Sequence, residues 1–156
     1  MKNFKRILLA SHGTAGALEA EKEALLLSAE GASIFHLVVI PEFWKGMVGK
    51  DWLNNPSGSH DYDKYVESQL EKEIGQQIKR IQNAANRKKI KYSYEVIVGK
   101  PAEIMIQTAN SGKFDIAVIG SPRPRGKKGL RSRMDLGVIA RDLDIPILIV
   151  PFPETD

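Results

Sequence analysis

Five apolar runs of strand length, separated by segments with helical spacing, set the limits on what this chain folds into. The runs are Arg6-Ile7-Leu8-Leu9-Ala10, residues 33–40, residues 92–98, Ile116–Ile119 and residues 145–150. All but the third are nearly continuous in Ile, Leu and Val rather than alternating, the pattern of strands buried on both faces. Strand following helix throughout predicts an α/β fold, a five-stranded parallel sheet with helices on both faces and right-handed crossovers. A length of 156 residues, 42% of them hydrophobic, suits one domain over residues 1–156 with a real core.

The punctuation between the runs supports the same order. Thr14 is placed to cap a helix from Ala15 to Glu30, with Leu18, Leu25 and Ala29 among its apolar positions and Gly31 as its stop. The longest helix is expected over Asp61–Arg87, where Val66, Leu70, Ile74, Ile78, Ile81 and Ala85 form one stripe. Arg87-Lys88-Lys89 reads as its C-terminus, where cations favour the helix dipole. In the third strand Tyr92, Tyr94, Val96 and Val98 alternate with Lys91, Ser93, Glu95 and Ile97, which predicts one wetter face. Pro101 suits the first turn of a helix to about Asn110, ended by Gly112, and a last helix is expected from Asp135 to Leu143.

One stretch breaks the pattern. Residues 42–60 mix Gly, Pro, Asn and Ser with Phe43, Trp44, Met47, Val48, Trp52 and Leu53. That is too long for an ordinary connection, so it reads as a flap, a partner surface or a loop folded onto its own domain.

Composition excludes several classes. With no cysteine, neither a disulfide framework nor a thiolate metal site is available. Met1-Lys2-Asn3-Phe4-Lys5-Arg6 leads into only a short apolar run, unlike a secretory signal, and no stretch is long enough to span a bilayer. A cytoplasmic protein without membrane contact is the expectation. The net charge of +4 matters less than where the excess sits.

It sits after the fourth strand. Gly120 opens into Ser121-Pro122-Arg123-Pro124-Arg125-Gly126-Lys127-Lys128-Gly129-Leu130-Arg131-Ser132-Arg133-Met134, with six basic residues and no acid. Glycines let backbone N–H groups approach an anion, and a strand end feeding a basic loop and then a helix is where open α/β sheets hold phosphate. The first strand ends in a second polar turn, Ser11-His12-Gly13-Thr14. If strands one and four are neighbours, the two turns share one crevice.

At these residues the chain resembles the universal stress proteins, over essentially its whole length. The resemblance rests on Ile7-Leu8-Leu9-Ala10, Val96-Ile97-Val98-Gly99-Lys100-Pro101-Ala102-Glu103-Ile104, Asp115-Ile116-Ala117-Val118-Ile119-Gly120-Ser121 and Ile145-Pro146-Ile147-Leu148-Ile149-Val150-Pro151, in that order and spacing. It implies a doubly wound sheet of order 3-2-1-4-5 and a homodimer formed through Ile147–Val150. In many members it also implies ATP held between the first and fourth strand ends. Carried over position by position, the ligand-binding residues are Ala10, Ser11, His12, Gly13, Thr14, Val39, Gly120, Ser121, Arg123, Arg125, Gly126, Gly129, Arg133 and Met134. His12 stands where ATP-binding members usually have aspartate, Arg123 where they have a second glycine, and Arg133-Met134 where they have Gly-Ser or Gly-Thr. A shifted reading through Gly126-Lys127-Lys128-Gly129 and Gly137 restores the glycines but not the spacing. Three ligand readings follow: an adenine nucleotide such as ATP, another small anion held by charge, or no small ligand.

Other motifs fail on spacing. A P-loop needs four residues between its glycines and Ser or Thr after the lysine; Gly120 and Gly126 are separated by five, and Lys128 occupies the hydroxyl position. Residues 11–16 superficially match a flavodoxin phosphate loop but lack its further hydroxyls and flanking aromatics. A phospho-acceptor regulator needs acids at the first strand end, and there are none. His12, His36 and His60 share no metal-ligand spacing; His36 reads as a satisfied core or edge histidine. His12 has no identifiable nucleophile or orienting acid, so no turnover chemistry is assigned. Nucleic-acid binding through residues 123–133 is the competing class, disfavoured by the lack of interleaved aromatics and of a reading helix.

Overall fold

In the computed structural model, residues 3–11, 17–41, 59–121 and 135–153 are described, at 41 and 59–70 by backbone alone. Strands and helices alternate along them: β1 (Phe4–Ser11), α1 (Ala17–Leu27), β2 (Ser28–Pro41), α2 (Ser59–Arg87), β3 (Lys91–Gly99), α3 (Pro101–Ala109), β4 (Ile116–Gly120), α4 (Leu136–Asp142) and β5 (Ile147–Val150). The five strands form one parallel sheet of order β3-β2-β1-β4-β5. The chain winds outward from β1 through β2 to β3, then returns to the other side of β1 for β4 and β5.

Side chains of β1 alternate between two cores, as strand geometry requires. Ile7 and Leu9 meet Ala20, Ala24 and Leu27 of α1 and Ile81 and Ala85 of α2. On the opposite face Leu8 and Ala10 meet Met105 and Ala109 of α3 and Ile139 of α4. Helices therefore cover both faces, and β1 is buried throughout its apolar run.

Local chemistry sets the boundaries. Asp135 caps α4 by accepting from the Val138 N–H at 3.1 Å. Pro101 opens α3, and Gly112 turns the chain out at φ +85°. Asn110 ties the ends of α3 and α4 together, its amide donating to the Asp142 carbonyl at 2.9 Å and its side-chain oxygen accepting from Asp144 N–H at 2.8 Å. Across the sheet, the Arg6 guanidinium donates to Asp115 at 2.8 Å while Asp115 N–H donates back to the Arg6 carbonyl, clamping β1 to the entrance of β4. At the end of α2 the basic cluster terminates the helix as expected, with Lys89 at φ +58° and Ile90 N–H donating to the Ala85 carbonyl at 2.9 Å.

Four details differ from the sequence-based expectation. Helix α1 ends at Leu27 rather than Glu30, because Ser28 already pairs with Phe4 and its hydroxyl donates to the Ala24 carbonyl at 2.7 Å. Gly31 does adopt a positive φ of +79°, but inside β2, where the pairing with β1 is irregular between Phe4 and Arg6. The face that α1 buries consists of Ala17, Ala20, Glu21, Ala24 and Leu27, leaving Leu18 exposed. Finally, the Tyr94, Val96 and Val98 side of β3 is itself exposed, because β3 is the outermost strand.

Candidate functional site

The reversal of strand order lies at β1, and it sets side by side the strand ends from which the two expected site turns leave. Ala10 pairs with Ile119 of β4, so Ser11 and Gly120 end neighbouring strands side by side. On the other flank Ser11 pairs with Val38, which puts Val39 at the same end. Ser121 follows Gly120 and donates its N–H to the Val150 carbonyl of β5 at 2.7 Å. Ala10, Ser11, Val39, Gly120 and Ser121 are thus gathered at the carboxyl end of the sheet, where open α/β sheets bind ligands. His12, Gly13, Thr14, Arg123, Arg125, Gly126, Gly129, Arg133 and Met134 lie outside the described residues.

Behind Ser11 runs a line of buried polar groups that the sequence does not announce. His36 is fully buried, and its Nδ1 lies 2.7 Å from the Tyr92 hydroxyl while Nε2 lies 3.1 Å from the Ser11 hydroxyl. Burial, with a smaller contribution from the Arg80 charge, lowers the His36 pKa to about 4, so the ring is neutral at pH 7. Burial also raises the Tyr92 pKa, and the Glu21 and Tyr94 charges add to the effect, so its hydroxyl stays protonated. A neutral imidazole has one donor and one acceptor. In one tautomer Tyr92 donates to Nδ1 and Nε2–H donates to Ser11, leaving the Ser11 proton free to donate onward. In the other, Ser11 donates to Nε2 and keeps acceptor capacity. The sequence reading of His36 as a satisfied core histidine holds; its partners became visible only with the register between β1, β2 and β3.

A second buried group stands beside this line. Glu21 of α1 is 3% exposed and takes a two-pronged grip from Arg80 of α2, with N–O distances of 2.9 to 3.0 Å. Burial raises the Glu21 pKa more than Arg80 lowers it. Gln77 of α2 is buried as well, its amide nitrogen without a hydrogen-bond partner among the described residues. These groups tie the two helices over the β1–β2 face to each other.

Among the described residues no group of three or more His, Asp or Glu side chains is placed to hold a metal ion. No helix among them is long and apolar enough to cross a membrane. A wide depression of about 430 Å³, lined by Leu25, Leu26, Glu30, Arg87 and Lys88 among others, lies at the amino end of β2, away from the β1–β4 end.

Comparison with known proteins gives one family. A model described as "Universal stress protein family" matches residues 3–151. The universal stress protein MJ0531 of Methanocaldococcus jannaschii is 28% identical over 160 residues, covering 98% of this chain and 85% of its own. The solved structure of the protein MJ0577 is similar over 97% of this chain and 99% of its own, with a TM-score of 0.70 at 17% identity. That of a universal stress protein family protein from Arabidopsis thaliana with AMP bound is similar over 95% and 92%, with a TM-score of 0.56 at 12% identity. These likenesses establish the same sheet order and the same arrangement of helices.

Proposed function

The chain belongs to the universal stress protein family, and from that premise we propose that it is a stress-linked regulatory module that binds an adenine nucleotide or a related anion between the ends of β1 and β4. The observation that carries this reading is the pairing of Ala10 with Ile119, which sets Ser11 beside Gly120 at the point where the strand order reverses. Gly120 leads directly into the basic, glycine-containing stretch 121–134, whose charge suits phosphate. The Arabidopsis thaliana relative with AMP bound supports adenine as the base. Val39, one residue beyond the Ser11–Val38 pair, is the position at which the family resemblance puts the base. Arg123 in place of glycine and Arg133-Met134 in place of Gly-Ser favour a grip through side-chain charge over one through backbone N–H groups. The reading assigns binding and no turnover.

Thermal unfolding with and without ligand tests it. Stabilisation by ATP or AMP at concentrations where sulfate has no effect supports a nucleotide site; equal stabilisation by all three identifies a generic anion site; none from any of them removes the ligand. Salt-sensitive retention of RNA or DNA would instead support the polyanion class.

The assembly reading is a homodimer through β5. Ile147–Val150 ends the sheet opposite β3, and Ile149 is 39% exposed there. An apolar edge of this kind is commonly covered by pairing with a second copy. Sedimentation as a monomer at micromolar concentration would contradict it.

A further inference from the structure

We propose that the depression at the amino end of the sheet is a docking site for an acidic peptide segment of another protein, one that carries a single large apolar side chain between its acids. The depression measures about 430 Å³, with Leu25, Leu26 and Ile90 in its apolar lining and Arg87, Lys88, Lys89 and Glu30 in its charged lining. Leu26 is 61% exposed and Leu25 only partly buried, so two adjacent leucines meet water there. Arg87, Lys88 and Lys89 are exposed as well, and none of them is in an ion pair among the described residues. Backbone geometry shapes the hollow. Helix α2 gives way to the left-handed Lys89, and near the start of β2, where Gly31 has φ +79°, residues 29–32 stand opposite Lys5 alone. Irregularities of this kind re-aim the chain and are common beside functional surfaces.

Charge and shape together select the occupant. Cations at a helix C-terminus favour the dipole, which accounts for some of the charge but not for the leucines beside it. The ends of α1 and α2 meet here, and each carries about half a negative charge. With Glu30 they offset about two of the three cations in the lining. Lys5 opposite the irregular segment and Lys91 at the start of β3 add positive charge that no described acid pairs. The surplus suits carboxylates, and the apolar lining suits one aliphatic or aromatic side chain. A bilayer is flat on this scale and does not enter a hollow. The mouth is wide, so a free small molecule would stay largely in water. Nucleic acid would meet the cations but finds no aromatic ring in the lining to stack on. A peptide with an apolar anchor between acids satisfies both parts at once. The depression lies at the opposite end of the sheet from Ser11 and Gly120, so this docking is independent of the nucleotide reading.

Nuclear magnetic resonance of the full chain with a short synthetic peptide, Glu and Asp flanking one phenylalanine, tests this. The backbone amides of Leu26, Glu30, Lys88 and Ile90 are expected to shift together and saturably at submillimolar peptide. A control peptide with serine in place of the phenylalanine should bind at least about fivefold more weakly. Leu26→Ser and Lys88→Glu, both at exposed positions where the fold should survive, should each weaken binding at least about threefold. Added salt should weaken it too. The proposal is overturned if no saturable shift occurs at millimolar peptide, or if the serine peptide binds equally well, which leaves a surface that reads charge alone. Unchanged affinity in both folded variants overturns it as well. Shifts of the same amides that follow protein concentration with no peptide present assign the surface to a second copy. Cosedimentation with phosphatidylserine vesicles that Lys88→Glu abolishes, without peptide binding, assigns it to a membrane. Either of these last results also overturns it.

Discussion

Removing Arg80 and removing the charge of Glu21 should have very different costs, although they are two halves of one ion pair. Glu21 is 3% exposed, whereas the Arg80 side chain is 49% exposed. In Glu21→Gln the arginine left behind turns to water, and the amide keeps the volume and two polar ends, so the loss should stay within about 1 kcal/mol. In Arg80→Ala a buried carboxylate is left without its grip, a change that typically costs about 3–5 kcal/mol. The carboxylate has an escape, however, because it can take up a proton. From its usual value of 4.5, that uptake at pH 7 costs about 1.4 kcal/mol per pH unit, which caps the penalty at about 3.5 kcal/mol. Burial already holds the Glu21 pKa above its usual value in the intact protein, so the net loss at pH 7 should fall below that cap. The sign follows from linkage. A carboxyl whose folded pKa is raised contributes most at acid pH, and that contribution is lost as pH climbs through the folded value. Arg80→Ala raises it further, so the deficit of the variant should shrink to under about 1 kcal/mol at pH 5. Urea unfolding of wild type, both single variants and the double variant at pH 5 and pH 7 measures these quantities, and the double variant should resemble Glu21→Gln. Equal losses for the two single variants, or an Arg80→Ala deficit independent of pH, would refute the assignment of the burial cost to Glu21.

The remaining predictions concern other parts of the frame. His36 has its pKa lowered to about 4 from 6.5, so its contribution is complete above pH 6.5 and lost as pH falls towards 4, by at most about 3 kcal/mol. His36→Gln should flatten that limb of the stability–pH curve, and an unchanged slope would mean that the ring does not stay neutral. Lys89 sits at φ +58°, so Lys89→Gly should stabilise the protein by up to about 1 kcal/mol in thermal unfolding, and a loss would contradict the left-handed cap. Asp135→Ala should cost about 1 kcal/mol by removing the acceptor for Val138 N–H at the start of α4; a neutral result would show the cap unmade in solution.

Much of this fold could be read from the chain because the signals were local. Pro101 at the first turn of α3, Gly112 after its end, Asp135 capping α4 and the apolar runs of β1 and β4 each act within a few residues of themselves. What escaped depends on neighbours distant in sequence. The buried stripe of α1 is mostly alanine because small side chains let the helix lie close over β1, a distance that no helical spacing reveals. Glu21 looks like a surface acid until Arg80, on another helix, stands opposite it. The alternation of β3 was visible, but its place at the sheet edge is a property of the topology, so the exposure of Val96 and Val98 was not. The same holds at the candidate site. Ser11, Gly120 and Ser121 read as strand-end positions and Val39 follows from the family resemblance, and the sheet order unites them. The hydrogen bonds that link His36 with Ser11 and Tyr92 require the register of three strands, which the sequence does not spell out.

Nuclear magnetic resonance of the isotope-labelled chain during titration with ATP, with sulfate as the control, probes the binding reading at its own location. If the ligand sits at the reversal of strand order, the backbone amides of Ala10, Ser11, Val39, Gly120 and Ser121 shift together and saturably with ATP, while those of Glu30 and Ile90 at the opposite end of the sheet stay fixed. Shifts confined to that opposite end, or none at saturating ATP, would contradict a nucleotide site between β1 and β4.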